Sequence, residues 1–565
     1  MTVRGGATAA LFAMCGTALG WTADPDRSAS ATCTLHSGAK TAFDCTIGGY
    51  VPGSPWSARA VLNASSIGST GWGRLHVEGR PSTSLAGDRE AAYAAGFIEG
   101  SLTPNLIEAH FANLKSQLEA TAAQRTFIRN NMEWMREQAT AAAANSSVDQ
   151  YWHQVDLVLL QQDGLYDGYA AAASTAPGLR RLSRDDITLL GLLVELGDID
   201  RAVDPMHAKG SYRNLAKLPN REFDAYVREH QHCSALVAVA PDLSELFAAH
   251  TTWCAYAQML RLVKQYTLRL SETGGTAAST SLFTGYPGTL QGIDDFYLTS
   301  QSLAVIETTN GVYNDSLFPA HVTPTGTVPY WSRVIVANRA AASGVEWEAW
   351  FYRYNSGTYN NQWIIVDYKR VTPNAPLKPD TLRVSEQIPG FHFAADQTAV
   401  LADGHWPSYN VPFYPEIYER SGYPAMVRAR GASHSYQLAP RAAIFRRDAG
   451  PAAAGELAAV KVFMRENHYN HTPRDPLAPT PDAAIAARAD LDPAYPDAGG
   501  AIDAKIVTTN LARRLGMVAV SGPTTDGQPA FAWRGKFGNT TQHPRWGQPT
   551  LFDFRWETFE AVDGQ

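Results

Sequence analysis

The chain has 565 residues, 45% of them hydrophobic, enough to bury a large core. Lysine and arginine number 47 against 54 aspartates and glutamates, a net charge of −7, and no long charge block interrupts the mixture. That balance excludes a basic nucleic-acid footprint, and 14 tryptophans with 24 tyrosines exclude a disordered chain.

The start, "MTVRGGATAALFAMCGTALGWTADPD", has Arg4 as a positive n-region, an apolar run from Ala7 to Leu19, and small residues at Ala18-Leu19-Gly20. This pattern predicts a secretory signal over 1–20, the run being too short to span a bilayer comfortably. No later stretch has the uninterrupted apolar length of a membrane-spanning helix. Cys15 leaves with the signal. Cys33 and Cys45 flank the short loop "CTLHSGAKTAFDC" and can pair in an oxidising compartment, which leaves Cys233 and Cys254. Asn-X-Ser/Thr sequons at Asn63, Asn145, Asn314, Asn470 and Asn539 are glycan acceptors if the chain is exported.

"TGWGRLHVEG" (70–79) alternates and predicts a strand. Residues 88–114 predict helix, break, helix, with Pro104 in a first turn after Thr103 as N-cap. Helices are expected over 124–144 and 185–203, the latter stopped near Gly197. The pattern then changes to short apolar or β-branched strands in "CSALVAVAP", "LFAAHTTW", "SLAVIETTN" and "WIIVDYKRV", with a helix expected over 254–266 among them. Residues 269–281 and 448–456 read as loops, and no repeat of fixed period is present. Helices first and strands later suggest an α+β or layered-sandwich architecture.

Several chemistries are absent. There is no G-x-S-x-G elbow, H-E-x-x-H, C-x-x-C, Walker A or G-x-G-x-x-G, and "LGDIDRA" lacks the serine a GDSL-type lipase needs. Of the nucleophiles left, Cys233 in "EHQHCSALVAVAP" is the most interesting, standing at the mouth of a strand. On its own it is more readily a small buried strand residue, as free cysteines usually are.

Long stretches resemble the phospholipase B-like family of secreted and lysosomal proteins. They run from "TGWGRLHVEG" and "AAYAAGFIEGSLT" through "HCSALVAVAP", "HTTWCAYAQMLRLVKQY", "GYPGTLQGIDDFYLTSQSLAVIETTNGVYN" and "GTYNNQWIIVDYKRV" to "SYNVPFYPEIYERSGYP" and "PDAAIAARADLDP". The family is similar to the N-terminal-nucleophile (Ntn) hydrolases. The resemblance implies a four-layer αββα sandwich and a precursor cut before the residue that becomes the nucleophile. The matching motif is His232-Cys233-Ser234-Ala235-Leu236. The implied division is a signal over 1–20, an N-terminal fragment 21–232 and a C-terminal fragment 233–565, both fragments remaining associated.

The chemistry agrees with that reading. Thiolate is the reactive form of cysteine, and a freed α-amine, with a reference pKa of about 7.7–8.0, can take the thiol proton without a distant base. Before the cut that amine is an amide, so the first step must be attack on the His232 carbonyl, giving a thioester that water resolves. His232 either assists cleavage or merely occupies its place.

A hairpin turning near Pro241-Asp242 would bring "LFAAHTTW" back beside the nucleophile strand. His250 would then orient the amine or substrate, and Trp253 would form an apolar wall. Ntn relatives often use an Arg and an Asp in this region; this chain departs from that, leaving the proton path open. Asn310, closing "VIETTN", is an oxyanion-donor candidate or a turn residue before Gly311. Asn361 and Gln362 are weaker candidates of the same kind. Asp294 and Asp295, adjacent and pointing to opposite faces, read as structural, and Cys254 as packing within its helix.

The family name implies removal of fatty acyl chains from glycerophospholipids. The same site would suit an amidase acting on N-acylated lipids or peptides, and a lipid-binding protein that matures without turnover is the alternative of another class. No metal or organic cofactor is implied. The expected partner is a lipid or other acylated small molecule, and the expected location is secreted or lysosomal.

Overall fold

The computed structural model describes residues 28–35, 43–47, 56–223, 226, 233–452, 455–473 and 475–562. The signal expected over 1–20 and His232 lie outside the described residues. Before residue 232 the strands are β1 (Ser28–Leu35), β2 (Phe43–Ile47), β3 (Ala58–Asn63) and β4 (Trp72–Gly79). After it come β5 (Ser234–Val239), β6 (Leu246–Thr251), β7 (Trp253–Ala255), β8 (Arg261–Leu268), β9 (Thr280–Gly285), β10 (Phe296–Thr299), β11 (Leu303–Thr309), β12 (Asn361–Asp367), β13 (Leu382–Ile388), β14 (Phe391–Asp396) and β15 (His405–Ser408). The last are β16 (Gly499–Ala501), β17 (Asp503–Thr508), β18 (Gly516–Ser521), β19 (Phe531–Ala532), β20 (Leu551–Phe552) and β21 (Glu557–Glu560).

An eleven-stranded sheet runs β14-β13-β12-β11-β10-β9-β8-β4-β3-β1-β2, and a six-stranded sheet runs β15-β5-β6-β17-β18-β21. Strands from both sides of residue 232 share the large sheet, joined where β4 pairs parallel with β8, Trp72 opposite Arg261. In the β1–β2 pairing Cys33 stands directly opposite Cys45.

Both faces of the central strands β8, β10, β11 and β12 are buried, so these strands read as largely apolar runs. Along β11, Leu303 and Val305 join one core while Ala304 and Ile306 join another; along β12, Trp363 and Ile365 divide from Ile364 and Val366 in the same way. The first core lies under the helices α1 (Leu85–Leu102), α2 (Pro104–Leu114), α3 (Ala122–Ala143), α4 (Gln150–Thr175), α5 (Tyr330–Ala340) and α6 (Gly344–Phe351). The second includes Leu236, Val237, Phe247, Ala249, Ile506 and Val518 of the small sheet. Helices α7 (Pro440–Ala452) and α8 (Leu457–Met464) lie against β6, β15 and β17.

α1 and α4 touch backbone to backbone. Gly96 and Gly100 on α1 face Gly164 and Gly168 on α4, and a Cβ on any of the four would fall inside the contact radius of a carbonyl oxygen: Gln161, Leu165, Tyr93 and Phe97 respectively. α3 opens on a capping box, with Gln124 N donating to Thr121 Oγ1 at 3.2 Å and Thr121 N donating to Gln124 Oε1 at 2.7 Å.

The α+β class stands, but several local expectations change. Among the described residues three strands precede the first helix, the short Ser66–Thr70, and β4 follows before the long helix α1, so helices do not come first. The helix expected over 254–266 is instead the end of β7, a 3₁₀ turn at Tyr256–Gln258 and most of β8. Every residue of β8 is buried, between β4 and β9, so tertiary pairing outweighs a helix-favouring composition. Cys254 accordingly lies in β7, not in a helix. The 185–203 helix is two helices, Arg184–Leu192 and Leu196–Val203, and does not stop near Gly197. Its break frees Glu195, whose buried carboxylate accepts the N–H groups of Tyr330 (2.9 Å) and Trp331 (3.3 Å) at the start of α5. Thr103 does hold the N-cap position before Pro104, but its hydroxyl donates back to the Glu99 carbonyl at 2.8 Å and caps nothing. The loop expected over 269–281 holds a 3₁₀ turn and the start of β9, and that over 448–456 begins inside α7, anchored by buried Ile444, Phe445 and Ala449.

Candidate active site

The β5–β6 hairpin turns over residues 240–245, as its Pro-Asp pair predicts, and pairs Ser234 with Thr251 and Ala235 with His250. β17 continues the sheet with Lys505 opposite His250. Cys233 stands one residue before β5 and is fully buried. Its φ is +86°, a left-handed conformation that a side chain with a Cβ resists. Strain of this kind costs on the order of 1–3 kcal/mol and persists only where the surroundings enforce it.

The Cys233 sulfur, a ring nitrogen of His250 and a carboxylate oxygen of Glu307 lie within 4.8 Å of one another. His250 Nε2 is 2.9 Å from the Glu307 carbonyl oxygen, so Nε2 carries the hydrogen and Nδ1 is left as an acceptor, 3.5 Å from Thr252 Oγ1. Burial and then the Lys505 ammonium hold His250 well below the usual imidazole range, so it is neutral. Burial, and next the Glu307 carboxylate, push the Cys233 thiol well up, against a hydrogen bond from the Trp253 backbone N–H. The resting cysteine is therefore a thiol. Glu307, raised by burial and then by Asp295, accepts the Tyr359 hydroxyl at 2.8 Å, while the Lys505 ammonium offsets part of that rise.

Behind this trio lies a buried ion cluster. Asp294 is 2.8 Å from both Arg261 and Lys505, and Asp503 is 2.8 Å from Arg261 and 2.9 Å from Lys505. Two cations and two carboxylates balance, which such burial requires. The cluster also fixes the residue beside His250: Thr252 Oγ1 donates to Asp294 at 2.7 Å and its N–H to Asp503 at 3.2 Å. Asp295 takes a separate course, accepting the Tyr297 and Tyr330 hydroxyls at 2.5 and 2.6 Å, with burial raising it to about 7. The two adjacent carboxylates do part company.

Arg441 of α7 reaches the nucleophile from far along the chain. Its Nη1 donates to the Cys233 carbonyl at 2.7 Å and to Ser234 Oγ at 3.1 Å, and its Nη2 donates to Asn410 Oδ1 at 2.5 Å. The guanidinium lies 4.2 Å over the Trp253 ring. Trp253 Nε1 and Ser234 Oγ both donate to the Ile485 carbonyl, at 2.9 and 3.1 Å. Trp253 and Arg441 form part of the wall of a cleft of about 590 Å³ that also takes in Tyr313, Tyr409 and Tyr423. Its size falls within the roughly 300–1,000 Å³ common for small-molecule sites, and its lining sets aromatic rings beside the charged groups of Arg221, Arg441, Glu222, Asp482 and Asp492, an amphipathic surface.

Of the residues expected from sequence, the fold brings Cys233, His250 and Trp253 together. Asn310 follows β11 directly, but its amide Nδ2 donates to Glu386 Oε1 at 3.2 Å. Gln362 Nε2 donates to the same oxygen at 2.7 Å, and burial raises Glu386 to about 7. Asn361 lies on the opposite face of β12 from Gln362, buried. Glu307, Lys505, Asn410 and Arg441 were not anticipated. Glu307 and Asn410 stand in the quoted "VIETTN" and "SYNVPFYPEIYERSGYP", whereas Lys505 and Arg441 are distant in sequence and carry no motif. Asn145, Asn470 and Asn539 are exposed; Asn63 and Asn314 are half-buried. Among the described residues no helix is long and apolar enough to cross a membrane.

A family model described as Phospholipase B matches residues 58–559. The chain is 35% identical to Phospholipase B-like 1 of Bos taurus over 503 residues, 88% of this chain and 87% of that protein. It is 37% identical over 507 residues to Phospholipase B-like protein C of Dictyostelium discoideum, covering 87% of this chain and 86% of the relative. With Phospholipase-B 81 of Drysdalia coronoides the identity is 34% over 506 residues, 88% and 87% of the two chains.

Proposed function

The chain belongs to the phospholipase B family, and we propose that it is an exported Ntn-type acyl hydrolase, matured by cleavage between His232 and Cys233, that removes fatty acyl chains from glycerophospholipids. The observation that carries this reading is Cys233 itself: a strained, buried thiol beside neutral His250, with its carbonyl clamped by a guanidinium that lines an aromatic cleft. Two buried sheets between helical layers support the αββα sandwich. The exposed sequons and the Cys33–Cys45 register support export and a disulfide there.

Maturation adds the Cys233 sulfur to the His232 carbonyl carbon. The C–N bond breaks, its nitrogen becomes the Cys233 α-amine, and the acyl group stays on sulfur as a thioester. Water then releases the His232 carboxylate and the free thiol. Breaking this bond relieves the φ strain at Cys233. Neutral His250 is a weak base here, which a single-turnover step tolerates. In each later turnover the amine takes the thiol proton, the thiolate attacks the substrate ester, the leaving alcohol takes the proton, and water clears the acyl-enzyme. The two fragments stay together because β4 and β8 are paired within one sheet.

The test uses purified secreted protein, its fragments sequenced from their N-termini and its products followed by mass spectrometry on phosphatidylcholine and on a matched N-acyl amide. The expected result is a fragment beginning at Cys233 and fatty acid released from the ester. Release from the amide alone would make the protein an amidase, and cleavage with neither product would leave a lipid-binding protein.

Arg441 should matter as much as its contacts imply. Arg441→Leu leaves the Cys233 carbonyl unclamped, and a displacement of about 1 Å at a nucleophile can cost 10²-fold in rate. A drop of that order in kcat/KM is expected, together with a lower thermal midpoint, since buried acceptors lose their donor; Arg441→Lys should recover only part, since it lacks the fork that holds Cys233 and Asn410 together.

A further inference from the structure

Just after α8, in a segment unused by the chemistry above, Glu466, His468 and Asp475 converge so that one ligand atom from each lies within 4.8 Å of the others. The side chain of Glu466 is 4% exposed, that of Asp475 10% and that of His468 33%. His468 Nδ1 stands 3.2 Å from Glu466 Oε1 and 3.2 Å from Asp475 Oδ2. That nitrogen carries at most one hydrogen, which its geometry directs to Asp475. Glu466 Oε1 is then a buried carboxylate oxygen with no hydrogen-bond donor.

The remaining lone pairs are committed in a way that orients the carboxylates and leaves the centre open. Glu466 Oε2 accepts the Ile485 N–H at 3.0 Å. Asp475 accepts Arg447 on both oxygens, at 2.9 and 2.8 Å, and the Leu477 N–H on Oδ1 at 2.9 Å. Arg447 thus takes one lone pair of Oδ2 and leaves the other toward the imidazole. Adjacent ligands of a tetrahedral ion with bonds of about 2.0–2.1 Å are about 3.3 Å apart. The two 3.2 Å separations match that edge.

We propose that Glu466, His468 and Asp475 bind a divalent transition-metal ion of the zinc class, with solvent at the fourth position on the exposed side. One imidazole nitrogen and two carboxylates are donors that zinc accepts, and the ion serves three atoms where one proton cannot. Arg447 and the Ile485 N–H hold the ligands in place from behind. The site also reaches the nucleophile wall, because the Ile485 carbonyl accepts Ser234 and Trp253. The spacing Glu-x-His, then Asp seven residues on, matches no zinc signature, so the sequence is silent about it.

Chelator-stripped full-length protein is titrated with Zn²⁺ alone by calorimetry and with Co²⁺ alone by visible absorption. The expected result is one ion per chain, a four-coordinate Co²⁺ band and a higher thermal midpoint with metal. His468→Gln, at a partly exposed position that spares the fold, and Glu466→Gln should each weaken binding at least about tenfold, while Cys233→Ser leaves it unchanged. Absence of binding at millimolar metal, or binding that survives His468→Gln, overturns the proposal. So does binding lost in Cys233→Ser and kept in His468→Gln, which would move the ion to the Cys233–His250–Glu307 trio.

Discussion

Cys233→Ala should accumulate as one uncut chain with no detectable acyl release, read by intact mass and by product assay. Alanine keeps the backbone and the burial but has no atom to add to the His232 carbonyl. Cys233→Ser keeps a nucleophile of much higher pKa, so it should cut slowly and turn over poorly. A third variant separates nucleophilicity from strain. With φ at +86°, Cys233→Ala retains the cost of a Cβ in the left-handed region, whereas Cys233→Gly removes it. The uncut glycine variant should therefore melt higher than the uncut alanine variant, by about 1–2 kcal/mol of stability. If the alanine chain still yields a fragment starting at residue 233, or keeps its hydrolytic activity, the Ntn assignment is wrong. If glycine and alanine melt together, the nucleophile stands and the strain does not.

How much of this was readable in the sequence depends on how local each feature is. The nucleophile hairpin was, because β-branched residues, the Pro241-Asp242 turn and the Cys-Ser strand start are all within twenty residues. β8 was not. "CAYAQMLRLVKQY" carries alanine, leucine, methionine and lysine in a helix-like mixture, and only its burial between β4 and β9 makes it a strand. Its Lys264 shows the cause: the ammonium is fully buried and pairs with Glu99 of α1 at 2.7 Å, a partner 165 residues away that no window contains. The site divides in the same way. Cys233, His250 and Trp253 share one hairpin and its exit, while Arg441 arrives from a helical layer and Lys505 from the next strand of the same sheet, and both look, in sequence, like any surface cation. Asn310 shows the converse. Its place at a strand end is as expected, but its amide is taken by Glu386 on β13, two strands away across β12, and strand position alone cannot show which acceptor a side chain finds.

Gly96→Ala should be among the most destabilising single-methyl changes in the chain, although alanine is the better helix former. The gain from propensity is about 0.8–1 kcal/mol. Against it, the new Cβ overlaps the Gln161 carbonyl oxygen and crowds Leu165 N, both backbone atoms of α4 that cannot rotate away. The helices must separate, and because Gly100, Gly164 and Gly168 make the same contact along the crossing, separation opens the whole seam. Overpacking a core ordinarily costs 1–3 kcal/mol, so a rigid backbone contact belongs at or above the upper end, for a net loss of about 2–3 kcal/mol. Gly164→Ala should behave alike, since its Cβ meets the Tyr93 carbonyl from the other side. Gly197→Ala is the control. That glycine also lies in a helix, Leu196–Val203, but nothing stands within 4 Å of its missing Cβ, so only the propensity term remains and the variant should gain up to about 1 kcal/mol. Thermal or denaturant midpoints of the three variants decide it. Opposite signs for Gly96→Ala and Gly197→Ala place the cost in the α1–α4 contact, and a gain at both positions would mean that the helices do not touch as described.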